Sequence, residues 1–214
     1  MDLLDFAFSP PKRLAVAYMR ADLRDVFSVL LALDDRLSAI LRRSGEPMIA
    51  QMRMAWWNDV ITKPASLRPT GEPLLARIAD LETPGFHQML LLLIEAWSVL
   101  LAHEIWTQAV LEDYARQRSI AIFGFMAGQV EPATKHIGAS ADVGFAWALD
   151  DLAGHCHDEA QLRVIKEIRR DRLNVQRTPR SLRALHILAA SARYEQSPHR
   201  FAGFRLMWHA LTGY

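Results

Sequence analysis

"LRDVFSVLLALDDRLSAILRR", residues 23–43, carries the clearest secondary-structure signal in the chain. Apolar residues recur in it every three or four positions, which places them on one stripe of an α-helix. They are Val26, Leu30, Leu33, Leu37 and Ile40. The stretch "SGEPM" that follows ends this helix, and its proline is well placed to begin the next one. The segment predicts a long helix with one face in a core.

Helical periodicity continues through the rest of the chain. Sustained two-residue alternation is nearly absent, and there is no Asn-Gly hairpin turn. A loop rich in Pro and Gly is predicted at 63–73, and a last helix is predicted near 200–211. The length of 214 residues suits one domain, spanning 1–214. We therefore predict an all-α fold, a single bundle of about eight helices.

Two adjacent tryptophans, Trp56 and Trp57, lie within the predicted second helix, "AQMRMAWWNDVI". Neighbouring helical residues point about 100° apart, so the two indoles face different neighbours. Both are large apolar surfaces, and we predict that both belong to the core. Such a helix would be buried on two sides, as in the interior of a bundle.

The composition limits the compartment and the membrane topology. The single cysteine, Cys156, allows no intrachain disulfide, which fits a reducing cytosol. The first residues do not resemble a secretory signal. The most apolar run, residues 89–102, is shorter than the roughly 20 residues of a spanning helix and contains Glu95. We expect a cytoplasmic protein without a transmembrane segment, able to touch a membrane peripherally.

Charge is distributed unevenly although the net charge is only +1. Residues 161–200 hold ten Lys and Arg against three Asp and Glu. This stretch is either a solvated surface, which the sequence favours, or a surface for anionic lipid or another acidic partner. We expect no nucleic-acid partner.

Four segments, in order, resemble the squalene and phytoene synthase family. "YMRADLRDVFSVLLALDDRLSAI" is similar to its first long helix, and "MRMAWWNDVI" to the segment after that helix. "LEDYARQRSIAIFGFMAG" resembles its central Tyr-containing helix, and "GFAWALDDLAGHCHDE" its late metal-binding helix. The resemblance implies an isoprenoid-synthase-like fold. Active members of the family join two prenyl diphosphates head to head with Mg²⁺.

The aspartate pairs that this chemistry needs are missing. The departing diphosphate must be neutralised by Mg²⁺ held on carboxylates, as in two D-x-x-x-D motifs on facing helices. Alignment with the family places Ser38 and Arg42 at the first motif, and His155 and Glu159 at the second. Shifting the register does not restore a pair, because Asp34 is followed four residues later by Ser38, and Asp35 by an alanine.

Other acids are candidates for a metal or diphosphate site. Asp34 lies on the inward stripe of the first long helix, with Asp35 beside it. Residues 138–173 are predicted to form one long helix or two, with Gly154 as a possible kink. Asp151, His155 and Glu159 would stack on one helix face. Such a column could hold a divalent metal, although His suits Zn²⁺ or Fe²⁺ better than Mg²⁺. The sequence favours the simpler interpretation of a polar stripe on a partly exposed helix.

These observations lead to two hypotheses within the family. In the first, the chain lacks Mg²⁺-dependent condensation, needs no cofactor, and binds a prenyl diphosphate, a lipid or a protein partner. The family also contains members without the aspartates, including a mitochondrial complex I assembly factor. In the alternative, the chain is an active prenyltransferase with an unusual Mg²⁺ site. A helical interaction module without a ligand is a third interpretation, outside the family.

Overall fold

The computed structural model describes residues 7–43, 46–81, 83–132, 134–170 and 179–195. Within these ranges the regular structure is helical, without a strand. The α-helices are α1 (Pro10–Tyr18), α2 (Arg24–Arg43), α3 (Pro47–Thr62), α4 (Pro73–Ala79), α5 (Phe86–Leu101), α6 (Gln108–Ser119), α7 (Phe125–Val130), α8 (Thr134–Ala153), α9 (Glu159–Arg170) and α10 (Arg183–Glu195). The predicted all-α fold is confirmed. The described residues alone contain more helical segments than the eight predicted, partly because residues 10–18 form a helix that was not foreseen.

Prolines in the first turn and side-chain caps mark the N-termini of several helices. Pro47 and Pro73 each occupy the first turn of a helix, where a missing N–H costs nothing. Thr107 caps α6 by accepting from the backbone N of Val110 at 3.4 Å. Asp158 caps α9, because its Oδ1 accepts from the backbone N–H groups of Ala160 and Gln161 at 2.8 and 3.0 Å. These caps fix the ends of the helices that border the candidate site.

The core lies between α2, α5, α6 and α8. The Leu-rich helix α5 packs against α2, α3 and α6, and α6 packs in turn against α8. Helix α10 lies against α1 and α8 and covers the other side of the bundle. Leu30, Leu33 and Leu37 of α2 are fully buried, as their spacing predicts. The inward faces of these four helices therefore define the centre of the molecule.

Helix α5 is internal, as its composition predicts. Leu90, Leu93 and Trp97 are buried on it, while Glu95 is exposed at the edge of the bundle. An exposed carboxylate keeps its hydration, so this position avoids the cost of burying an unpaired charge. Across the described ranges, no helix combines the length and the apolar character needed to cross a membrane.

The prediction that both tryptophans are buried is wrong for Trp56. Trp57 is 6% exposed and packs in the core, whereas Trp56 is 41% exposed. The two rings meet edge to face, with centroids 5.0 Å apart. Helix α3 lies at the margin of the bundle and buries one side only, against α5 and α2. Its second apolar stripe therefore faces solvent instead of a second layer of helices.

Helices α6 and α7 run on through a π-helical turn at Ile120–Gly124. Next to this turn, α8 approaches so closely that a Cβ on Gly144 would lie 2.5 Å from Phe123 Cγ and 2.6 Å from Ser119 Oγ. The Ser119 hydroxyl donates to the backbone oxygen of Ala141 at this crossing. A glycine at 144 is therefore what allows α6 and α8 to pack at this distance.

Of the two arrangements predicted for residues 138–173, one long helix or two, the described residues form two. Helix α8 ends at Ala153, and α9 begins only at Glu159. Within the basic stretch, α9 and α10 are described, with Ile165 and Ile168 of α9 buried. The helix predicted near 200–211 lies outside the described residues.

Candidate functional site

A buried arginine joins two of the predicted site residues at the centre of the bundle. Arg118 of α6 is 1% exposed and forms a two-pronged contact with Asp34 of α2. Its Nε donates to Asp34 Oδ1 at 2.8 Å, and its Nη2 donates to Asp34 Oδ2 at 2.6 Å. The same Nη2 lies 2.8 Å from Asp151 Oδ2 of α8. Asp34 and Asp151 are thus bridged by a guanidinium.

Aromatic side chains enclose this guanidinium. Its central carbon lies 4.0 Å from the ring centroid of Trp147 and 4.8 Å from that of Trp97. Trp97 Nε1 also donates to Asp34 Oδ1 at 2.9 Å, and Arg118 Nη1 donates to the Tyr114 hydroxyl at 2.8 Å. A buried guanidinium between aromatic faces gains cation–π attraction in addition to its hydrogen bonds. The network is well satisfied, and the side chains of Arg118 and Asp34 at its centre are buried.

The charges in this network hold each other ionised. Burial opposes the ionised form of Asp151, but Arg118 and then Lys12 outweigh it, so the pKa of Asp151 lies below its usual value. Burial also opposes the charge on Arg118, yet Asp34, Tyr114 and Asp151 raise its pKa well above normal. Burial raises the pKa of the Tyr114 hydroxyl. At neutral pH, Asp151 is therefore an anion and Arg118 a cation.

A second ion pair lies beside the first. Lys12 of α1 is 8% exposed, and its ammonium donates to Asp35 of α2. Burial lowers the pKa of Lys12, but Asp35, Asp151 and Asp34 outweigh this effect and raise it. Burial raises the pKa of Asp35, and Lys12 opposes this change. The adjacent aspartates thus separate, with Asp34 bound to Arg118 and Asp35 to Lys12.

Replacing Asp151 with asparagine should destabilise the protein at pH 7 and much less at pH 3. The folded pKa of Asp151 is depressed, so its charge stabilises the fold above its unfolded pKa of about 3.9. That contribution is lost as the pH falls through the lower folded pKa. Urea unfolding at the two pH values measures the difference. The exposed Asp142 on the same helix supplies the control, Asp142→Asn, which should change stability by less than about 0.5 kcal/mol. An Asp151→Asn effect independent of pH would contradict this assignment.

A small pocket adjoins the buried network, with which it shares Trp97. Its volume is about 250 Å³, and it is lined by residues from the end of α2, by Trp97 and Trp106, and by the segment after α8. Ser38, Arg42 and His155 all line it, and the Arg42 guanidinium donates to the Ser38 hydroxyl. Three residues aligned with the two metal motifs are therefore brought together. They offer a hydroxyl, a guanidinium and an imidazole, a set that suits an anion better than a metal cation.

The predicted Asp151–His155–Glu159 column is not formed. Because α8 ends before His155 and α9 starts at Glu159, these side chains do not share one helix face. Glu159 points to solvent and pairs at 3.7 Å with Arg163 of its own helix. Among the residues that the structure describes, no group of three or more His, Cys, Asp or Glu is arranged to hold a metal ion.

The central partner, Arg118, was not singled out from the sequence. The signal was nevertheless present, because Leu111, Ala115, Arg118 and Ile122 lie three or four positions apart and are all buried. A charged residue in the middle of an apolar stripe predicts a buried cation that needs an acidic partner. Asp34, on the inward stripe of α2, was the matching anion.

Comparison with known proteins identifies no relative. The chain matches no family model, no curated protein and no solved structure. The resemblance to the squalene and phytoene synthases therefore depends on the four sequence segments alone.

Proposed function

We propose that this chain is a squalene/phytoene-synthase-like protein that binds a prenyl diphosphate or a related phosphate-bearing lipid without Mg²⁺-dependent condensation. The observation that supports it is the position of Arg118, between the carboxylates of Asp34 and Asp151. In an active synthase, carboxylates on two facing helices would hold the metal ions. Here a guanidinium provides the positive charge that faces them.

The charge on Arg118 cannot do the work of a metal ion. Its contacts with two carboxylates leave little capacity to neutralise a departing diphosphate, which is usually the largest catalytic requirement of such a site. The residues four positions after the two aspartates are Ser38 and His155, so neither helix completes a carboxylate pair. The arrangement therefore favours binding over turnover.

Arg42 provides a direct contact for phosphate. It lines the pocket together with Ser38 and His155, where its guanidinium can pair with phosphate oxygens. The pocket, at about 250 Å³, is smaller than the roughly 300–1,000 Å³ of common ligand sites. It suits the diphosphate head of a ligand.

We expect Arg42→Gln to weaken binding of farnesyl diphosphate and inorganic pyrophosphate by about 10–100-fold, the value of a hydrogen bond to a charged group. Isothermal titration with and without chelator measures both affinities. Farnesol, which lacks the diphosphate group, tests whether the hydrocarbon part of the ligand binds by itself. Chelator should leave binding by the natural protein unchanged. The control is Arg163→Gln, which removes an arginine whose side chain is 77% exposed on α9.

Pyrophosphate release separates this proposal from an active enzyme. Incubation of the natural protein with farnesyl or geranylgeranyl diphosphate and Mg²⁺ should yield no condensation product. Turnover that chelator abolishes would overturn the proposal in favour of a prenyltransferase with an unusual metal site. Loss of all binding to the three probes would instead favour a protein partner.

A further inference from the structure

A contiguous apolar surface lies on the outer side of α3. We name it the α3 crest, and it consists of Met48, Ile49, Met52 and Trp56. These positions share one helix face over about 12 Å of the axis. Met48 and Met52 are 71% and 67% exposed, and Ile49 and Trp56 are each exposed by more than two fifths. Single exposed apolar residues are ordinary, but a row of four on one helix marks an interaction surface.

A basic crevice adjoins this crest. It has a volume of about 290 Å³ and is lined by Arg36, Arg53, Trp56, Trp57 and Glu72, with two further α2 residues. Arg36 Nη2 lies 3.6 Å from Glu72 Oε1. Arg53 forms no ion pair with any residue in the described ranges. The crevice therefore carries one net positive charge next to an indole and a row of apolar side chains.

The surrounding sequence has the same sign. Residues 36–63 contain five Lys and Arg against two Asp and Glu. Positive charge beside an inserted apolar face is the pattern of helices that lie in the interface of an anionic membrane. Tryptophan is also enriched at that depth, because its ring is apolar and its N–H polar.

A second copy of the chain fits this surface less well. A two-fold interface sets the same patch of each subunit against the other. Arg36 and Arg53 of both copies would then lie in the same interface, and among the described residues that line the crevice Glu72 is the only acid. Anionic headgroups neutralise these charges, and the long, flexible methionines adapt to a fluid acyl region.

We propose that α3 docks the protein on the surface of a bilayer that contains anionic phospholipid. The α3 crest inserts at the boundary between headgroups and acyl chains. Arg53, together with Arg36, contacts lipid phosphates from the adjoining crevice. This docking is independent of the pocket at Ser38 and Arg42, and it requires no segment that crosses the membrane.

Vesicle sedimentation tests the docking with the full chain. The natural protein should bind vesicles of phosphatidylcholine with phosphatidylglycerol more tightly than phosphatidylcholine alone, and added salt should reduce the difference. The double variant Met48→Gln/Met52→Gln should weaken binding about tenfold through lost apolar insertion. Arg53→Gln should weaken it about fivefold on anionic vesicles only.

Ile105→Gln is the control for the Met48→Gln/Met52→Gln variant, because it replaces an apolar side chain that is 74% exposed outside the α3 crest, in the segment between α5 and α6. It should retain full vesicle binding, and circular dichroism should show all variants folded. Binding that is equal in the crest and control variants, or absent in the natural protein, overturns the proposal. A dimer in solution that Met48→Gln/Met52→Gln dissociates would assign the crest to a second copy instead.

Discussion

Replacing Arg118 with methionine should lower the free energy of unfolding by about 3–5 kcal/mol, the usual cost of removing one partner from a buried ion pair. Methionine keeps much of the side-chain volume but leaves Asp34 and Asp151 without the guanidinium that bridges them. It also leaves Trp97 and Trp147 without the group stacked between them. Urea unfolding, followed by circular dichroism, measures the change.

Two companion variants separate charge from packing. Arg118→Lys keeps the charge but loses the forked contact with Asp34, so it should lose less stability than Arg118→Met. Adding Asp34→Asn and Asp151→Asn to Arg118→Met removes the unpaired charges and should recover part of the loss. A loss below about 1 kcal/mol in Arg118→Met would contradict a structural role for this ion pair.

Replacing Trp57 with alanine should cost about 3–5 kcal/mol of folding free energy, because the indole is 6% exposed and fills the core. Trp56→Ala should cost only about 1–2 kcal/mol, from its edge contact with Trp57 and its partial burial. Urea unfolding of the two variants compares neighbouring residues of the same type, so each is the control of the other. Equal losses would contradict the marginal position of α3.

The helical fold could be predicted because apolar periodicity is a local signal. The stripe of Leu30, Leu33 and Leu37 identified both the helix and its buried face. The same reasoning failed for Trp56, since apolar residues surround α3 and their pattern does not say how many sides find a neighbour. Burial on a second side depends on the packing of helices distant in sequence, which no local pattern contains.

The site was predictable only in part. Asp34 was placed inward by its stripe, and Ser38, Arg42 and His155 were grouped by the resemblance to a family. Glu159 was expected on the same helix face as Asp151, but α8 ends at Ala153 and Glu159 begins a separate helix, α9. The ion pair between Asp34 and Arg118 spans 84 positions, so only the assembled bundle reveals it.

The π-helical turn at Ile120–Gly124 changes the rotation of the side chains about the helix axis between α6 and α7. A π turn closes its hydrogen bond over five residues instead of four, so the residues beyond it are rotated relative to an uninterrupted α-helix. Arg118, before the turn, is aligned with the carboxylates, while Met126, after it, is aligned with apolar neighbours. Straightening the turn into an ideal α-helix without removing a residue would place these two ends out of phase. The π turn thus lets Arg118 contact the carboxylates and Met126 contact apolar side chains from one continuous helical segment.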